Sequence, residues 1–212
     1  MKFFLDFEFI EGFKKPFFGK KRHFIDLISV GIVCEDGRTY YAISTEFNPK
    51  DADKWVKENV LSKLPKRYPG QHDSPNEKGE SLRWKPNSKI AEEIKDFIYS
   101  TEGIKGVAAP IIEFYGYYSD YDWVLFCSLF GRMIDLPDSF PYYCKDLKQT
   151  LDEKAKAWAE KQNWLKLLHF DEQLDAFKYG EGRNYPVLTG EHNALSDAKW
   201  NKALYDWLTA QP

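Results

Sequence analysis

Aromatic residues alternate with acids at the start of the chain. In Phe3-Phe4-Leu5-Asp6-Phe7-Glu8-Phe9-Ile10-Glu11, strand periodicity sends Leu5, Phe7 and Phe9 to one face and Asp6 and Glu8 to the other. A Gly- and Pro-punctuated stretch over 12–23 predicts a hairpin tip, and Phe24 to Cys34 predicts the returning strand, rich in Ile and Val. Glu35-Asp36-Gly37 predicts a turn and Arg38 to Phe47 a third strand. Three strands joined by turns form an antiparallel meander.

Beyond the meander the period lengthens. Asp51 predicts the cap of a helix running through Trp55, Val56 and Val60 to about Leu64, and 65–86 reads as a long loop. Asn87 or Ser88 caps a helix whose Ile90, Ile94, Phe97 and Ile98 lie on one stripe. Val107 to Tyr117 predicts a central strand, Tyr121 to about Met133 a helix, and Phe140 to Cys144 a short strand. Asp146 to about Leu168 predicts a helix, 169–190 an irregular stretch, and Asn193 to about Thr209 a last helix with Leu195, Ala198, Leu204, Tyr205 and Leu208 inward. This β-β-β-α-β-α-β-α order predicts an α/β fold.

Composition narrows the class without naming a chemistry. A chain of 212 residues, 43% hydrophobic and 30% charged, suits a single domain spanning 1–212 with a full core. No apolar run reaches the ~20 residues that span a bilayer, and the start lacks a basic segment followed by an apolar one, so a cytoplasmic protein with no membrane partner is expected. The three cysteines, Cys34, Cys127 and Cys144, have no zinc-ligand spacing and read as reduced thiols. A net charge of −3 does not mark the whole surface as a nucleic-acid binder, but it leaves room for a local basic patch.

Asp6 and Glu8 are costly where they stand, because two neighbouring carboxylates in an aromatic strand lose hydration and repel each other unless a cation sits between them. Two later segments supply matching chemistry: Gly116-Tyr117-Tyr118-Ser119-Asp120-Tyr121-Asp122-Trp123 and Glu191-His192-Asn193-Ala194-Leu195-Ser196-Asp197-Ala198. Together the three segments resemble the Exo I, II and III motifs of the DEDD 3′–5′ exonuclease superfamily. The His-x-Ala-x-x-Asp pattern from His192 to Asp197 resembles the DEDDh form, since the DEDDy form would place Tyr at Asn193. Asp120 competes with Asp122 for the Exo II role; the aromatic residue before Asp122 matches the family pattern, which leaves Asp120 for capping.

Leu5 to Glu11, Leu27 to Val33 and Glu35 to Phe47 further resemble the RNase AS-type branch of small exoribonucleases associated with adenylate-rich RNA 3′ ends. The chain departs from that branch in insertions at 12–23, 65–86 and about 148–186, and Phe9 stands where the wider superfamily has Thr.

The resemblance implies a ribonuclease H-like fold: a five-stranded mixed sheet flanked by helices, with the first strand central and the strand near 109–117 beside it. It implies two Mg²⁺ or Mn²⁺ ions, hard cations suited to carboxylate oxygens. Asp6 would bridge the two ions, Glu8 and Asp197 would complete one site, and Asp122 would act on the other mainly through water. His192 would be the general base, a role that an imidazole with an unperturbed pKa near ~6.5 suits. Five residues of helix turn through about 500°, so His192 and Asp197 cannot share one helical face, and His192 is expected on the approach to the last helix.

The expected partner is the 3′ end of single-stranded RNA, with a homodimer suggested by the resemblance. Phe9, Ile10 and Glu11 are expected to contact substrate, as are Lys14, Lys15, Lys20, Lys21 and Arg22 of the hairpin, where Phe13, Phe17 and Phe18 offer stacking surfaces. Exonuclease action on single-stranded DNA, a non-catalytic nucleic-acid-binding module and a purely structural domain are the alternatives.

Overall fold

The structure, a computed structural model, describes residues 1–15, 18–66, 83–100, 111–162 and 165–211. Among these, strands β1 (Lys2–Lys14), β2 (Arg22–Cys34), β3 (Thr39–Ser44), β4 (Trp84–Lys85), β5 (Glu113–Gly116) and β6 (Lys145–Asp146) form one sheet in the order β4-β3-β2-β1-β5-β6. β1 pairs antiparallel with β2 and parallel with β5, so the sheet is mixed and its first strand is central. Six α-helices accompany it among the described residues: α1 (Lys54–Asn59), α2 (Asn87–Tyr99), α3 (Asp120–Phe130), α4 (Leu147–Glu160), α5 (Phe170–Tyr179) and α6 (Ala194–Ala210). This is an α/β architecture compatible with a ribonuclease H-like fold. None of the described helices is long and apolar enough to cross a membrane.

The alternation in β1 builds two cores. Phe3, Leu5 and Phe7 pack with Ile90 and Ile94 of α2 and Phe126 of α3 on one face. Phe4 packs with Leu147 and Leu151 of α4 and Leu204 and Leu208 of α6 on the other. Ile10, on the same face as Phe4, joins a smaller cluster with Ile28, Ala52 and Val60. Asp6 and Glu8 therefore lie between two apolar patches of one sheet face, in the gap between α6 and the α1 segment.

Several elements differ from expectation for local reasons. The sixth strand, β4, is two residues paired with Ile43 and Ser44, too short to carry a period, and it falls inside the predicted loop. The short strand expected over 140–144 forms instead at Lys145–Asp146. The helix after the meander starts later, capped by Asp53, whose Oδ1 accepts from the Val56 N–H at 2.8 Å, and breaks into a 3₁₀ turn at Leu61–Lys63. The helix expected to about Leu168 ends at Glu160, and α5 occupies part of the stretch read as irregular. The expected strand residues 107–110, most of the loop 65–86, Phe17 and Trp164 lie outside the described residues.

Candidate active site

The floor of the site is the β1–β2 ladder, where Asp6 stands opposite Gly31 and Glu8 opposite Ser29. Gly31 decides how close the roof can come. A Cβ at that position would overlap the Ala194 carbonyl and lie 2.5 Å from the Leu195 nitrogen, so the bare glycine lets the start of α6 rest on the sheet beside Asp6. One turn beyond Asp197, the buried Asn201 Nδ2 donates to the Leu5 carbonyl at 2.9 Å and fastens the helix to β1. Asp197, in the opening turns of α6, is thereby delivered over the two acids of the strand.

His192 sits just ahead of the Asn193 cap, on the approach to the helix. Its backbone has φ 63°, a left-handed conformation that non-glycine residues seldom adopt. Its N–H donates to Asp197 Oδ2 at 2.9 Å, and the Asn193 side chain accepts from the Ser196 N–H at 3.2 Å. Asp122 reaches the site from the first turn of α3, where it is buried and the nearby Phe7 backbone favours its charged form. Asp120 does not cap that helix: it is the first helical residue, and Asp146 Oδ2 accepts from the Ser119 N–H at 2.9 Å in front of it.

Burial and mutual repulsion hold all four carboxyls towards their protonated forms. Desolvation is the main cause of the rise at Asp6, reinforced by Asp122, Asp197 and Glu8. Desolvation and then Asp197 push Glu8 to about 8, against a smaller opposing pull from Lys63. Asp122 rises through desolvation and the charge of Glu8, and Asp197 rises to about 6, chiefly through burial. Four acids that feel one another in this way occupy one small region of low polarity.

One ligand atom each from Glu8, His192 and Asp197 lies within 4.8 Å of the other two. Asp6 and Asp122 stand outside that tight group and are joined to it through the electrostatic coupling just described. Asp197 Oδ1 is buried without a hydrogen-bond partner among the described residues. An orphaned carboxylate oxygen amid three further acids fits a hard divalent cation, which would satisfy the oxygen and offset the repulsion.

No protein-family model matches the chain. The protein named 3′-5′ exoribonuclease Rv2179c of Mycobacterium tuberculosis strain ATCC 25618 / H37Rv is 35% identical to it over 155 residues, covering 73% of this chain and 76% of the mycobacterial protein. The chain belongs to this 3′–5′ exoribonuclease family. The protein named 3′-5′ exoribonuclease MT2234.1 of strain CDC 1551 / Oshkosh matches with the same identity and coverage.

Within this exoribonuclease frame the expected substrate residues divide. Phe9 is half-buried, its ring 5.6 Å from that of Tyr121, next to Asp122. Ile10 is 1% exposed in the Ile28–Val60 cluster; its side chain is core, because the strand face that carries the acids closes over again at that point. Glu11 pairs with His23 at 3.0 Å. Lys14 is occupied by Asp26 at 3.0 Å and Asp51 at 3.2 Å and lies over the Phe24 ring, whereas Lys15, Lys20, Lys21 and Arg22 are exposed.

Two neighbours of the site carried no sequence signal. Trp55, expected only as a residue of the helix after the meander, is 52% exposed, with its ring edge-on to His192 at 4.8 Å. Lys63, at the end of the segment after the meander, donates from its Nζ to the Glu191 carbonyl at 2.7 Å.

Proposed function

We propose that this chain is a metal-dependent 3′–5′ exoribonuclease of DEDDh type, resembling the RNase AS branch, that shortens single-stranded RNA and releases nucleoside 5′-monophosphates. The observation that carries the reading is the convergence of Asp6, Glu8, Asp122 and Asp197, each raised by burial and its neighbours, around an Asp197 oxygen that has no hydrogen-bond partner among the described residues. These four carboxylates would hold two Mg²⁺ or Mn²⁺ ions. Bound there, the ions supply a more acidic water and offset the charge that gathers on the phosphate oxygens.

The chain's own residues account for the rest. His192, half-buried beside Glu8 and Asp197, takes the proton of the attacking water. Asp197 acts twice, since its Oδ2 holds the His192 amide while its Oδ1 faces the cation site. Phe9 and Tyr121 border the acids with aromatic surface on which a terminal base can lie. Lys15, Lys20, Lys21 and Arg22 extend from the same two strands as cations for the phosphates further along the RNA.

The test is a product assay on end-labelled RNA and single-stranded DNA of matched sequence, with Mg²⁺, Mn²⁺ or EDTA. The reading expects 3′-labelled RNA to lose its label as a mononucleotide and 5′-labelled RNA to give a descending ladder, both only with metal. Full activity in EDTA, or shortening from the 5′ end, overturns it. Equal rates on DNA would make the enzyme a nuclease without sugar preference.

A further inference from the structure

We infer that Trp55 and Lys63 are positioning residues that hold His192 in its working conformation, an inference that rests on reading His192 as the general base. His192 is kept at φ 63°, a backbone state that a side-chain-bearing residue retains only when its surroundings hold it there. The Asp197 carboxylate supplies one hold, on the backbone amide. The other two come from a segment more than a hundred residues earlier in sequence.

That segment, Lys54 to Leu64, forms a clip seated on the core. Val60 anchors it, 1% exposed in the cluster with Ile10, Ile28 and Ala52, and Val56, Leu61 and Leu64 pack around the same cluster. Its cap at Asp53 and the bond from the Val60 N–H to the Val56 carbonyl at 3.0 Å fix its internal geometry. From this anchored base the clip touches the His192 loop at two points. The Trp55 ring meets the imidazole edge-on, with an interplanar angle of 79°. Lys63 Nζ grips the carbonyl of Glu191, the residue just before the strained position.

The two contacts restrain different freedoms. An edge-to-face aromatic contact limits rotation of the imidazole about its side-chain bonds. The lysine bond fixes the peptide plane that enters the left-handed residue, and as a charge-assisted bond it is stronger than a neutral one. The charge of Lys63 also opposes the rise at Glu8 and Asp197, which places the ammonium near the acids. Its nitrogen is nonetheless spent on a backbone carbonyl, the arrangement of a strut. An RNA phosphate taken by Lys63 directly would be a different role, and it would appear in KM.

The experiment measures steady-state kinetics on single-stranded RNA with saturating Mg²⁺ for Trp55→Ala, Trp55→Phe, Lys63→Met and Lys63→Arg, each alone and combined with His192→Ala. Trp55→Ala and Lys63→Met are expected to lower kcat by about tenfold with KM changed less than about twofold. Trp55→Phe and Lys63→Arg, which can renew the edge contact and the carbonyl bond, should recover most of that loss and serve as the folded controls. In the His192→Ala background the same substitutions should have almost no further effect, because residues that act through a side chain lose their influence once it is gone.

A readout free of metal and turnover accompanies these rates. The ring-current shift of the His192 imidazole protons, measured by NMR in EDTA, should move towards the random-coil position in Trp55→Ala. Unchanged kcat in both single variants, effects that multiply with His192→Ala, or a KM rise without kcat loss overturns the inference. A fully active His192→Ala protein would instead overturn the reading of His192 as the base, and the positioning role with it.

Discussion

At the scale of single residues, the sequence marks the acids well and their neighbours poorly. Asp6 and Glu8 were legible because charge in an aromatic strand breaks a pattern, and His192 and Asp197 because their spacing is a motif. Removing the imidazole should leave the acids and the fold in place, so His192→Ala is expected to lower kcat by ~10²–10⁴ with little change in RNA affinity. Rates at saturating RNA, paired with binding measured in Ca²⁺, check this, and an unchanged kcat removes His192 from the mechanism. Trp55 and Lys63 escaped notice for a physical reason: an amphipathic position and a lysine look alike wherever they fall, and the Lys63–Glu191 contact spans 128 residues. Ile10 misled in the opposite direction, since next to two acids of the candidate site it still obeys only the packing of its own strand face.

Elements were legible in proportion to their length. The meander and α6 carry several periods each and were read nearly to their ends, whereas β4 and β6 are two residues each and exist only because a neighbouring strand offers partners. α5 shows the same limit: its inward Phe177 is fully buried against Trp158 and Trp207, at 5.7 and 5.3 Å between ring centroids, but ten residues with Gly close by read as loop. How elements meet is decided at single positions, and Gly31 is one. Gly31→Ala should push the start of α6 off the sheet, costing ~1–3 kcal/mol of stability as an overpacked contact does. It should lower kcat by more than that loss implies, because Asp197 moves with the helix; urea unfolding and kcat measured together decide it, and a neutral variant refutes the close-contact argument. The hairpin makes a separate forecast. With Lys14 committed to Asp26 and Asp51, replacing Lys15, Lys20, Lys21 and Arg22 with Ser removes up to four phosphate contacts, each contributing ~0.7 to the slope of log K against log salt. RNA binding should weaken at low salt and the slope flatten by as much as ~2.8, with kcat at saturation nearly unchanged; equal slopes in variant and parent would return the hairpin to a purely structural part.

For the whole molecule, a net charge of −3 says little, because what matters is that four of the acids share one buried region. The consequence is a stability that runs against the usual acid-denaturation trend. Glu8 is raised from 4.5 to about 8 and Asp197 from 3.8 to about 6, and Asp6 and Asp122 move in the same direction. Between the unfolded and folded values of each group the folded chain binds more protons than the unfolded one, so stability is fully present below the unfolded value and is lost as pH rises through the folded value. Metal-free protein should therefore melt at progressively lower temperature as pH climbs from about 5 to about 8.5. A divalent cation held by these acids, as proposed, would reverse the tendency. On the proposed reading it would compete with protons for the same oxygens and bind only the folded state, so the stabilisation by Mg²⁺ should widen over the same range. Melting curves in EDTA and in Mg²⁺ at several pH values test both halves, with Glu8→Gln as the variant that should flatten the EDTA profile by removing the group shifted to about 8. An EDTA profile that does not fall with pH, or that is identical in Glu8→Gln, would mean the carboxylates are not held together as described. A Mg²⁺ effect that fails to grow with pH would separate them from the cation site, leaving the four acids as a structural cluster without the chemistry assigned to it.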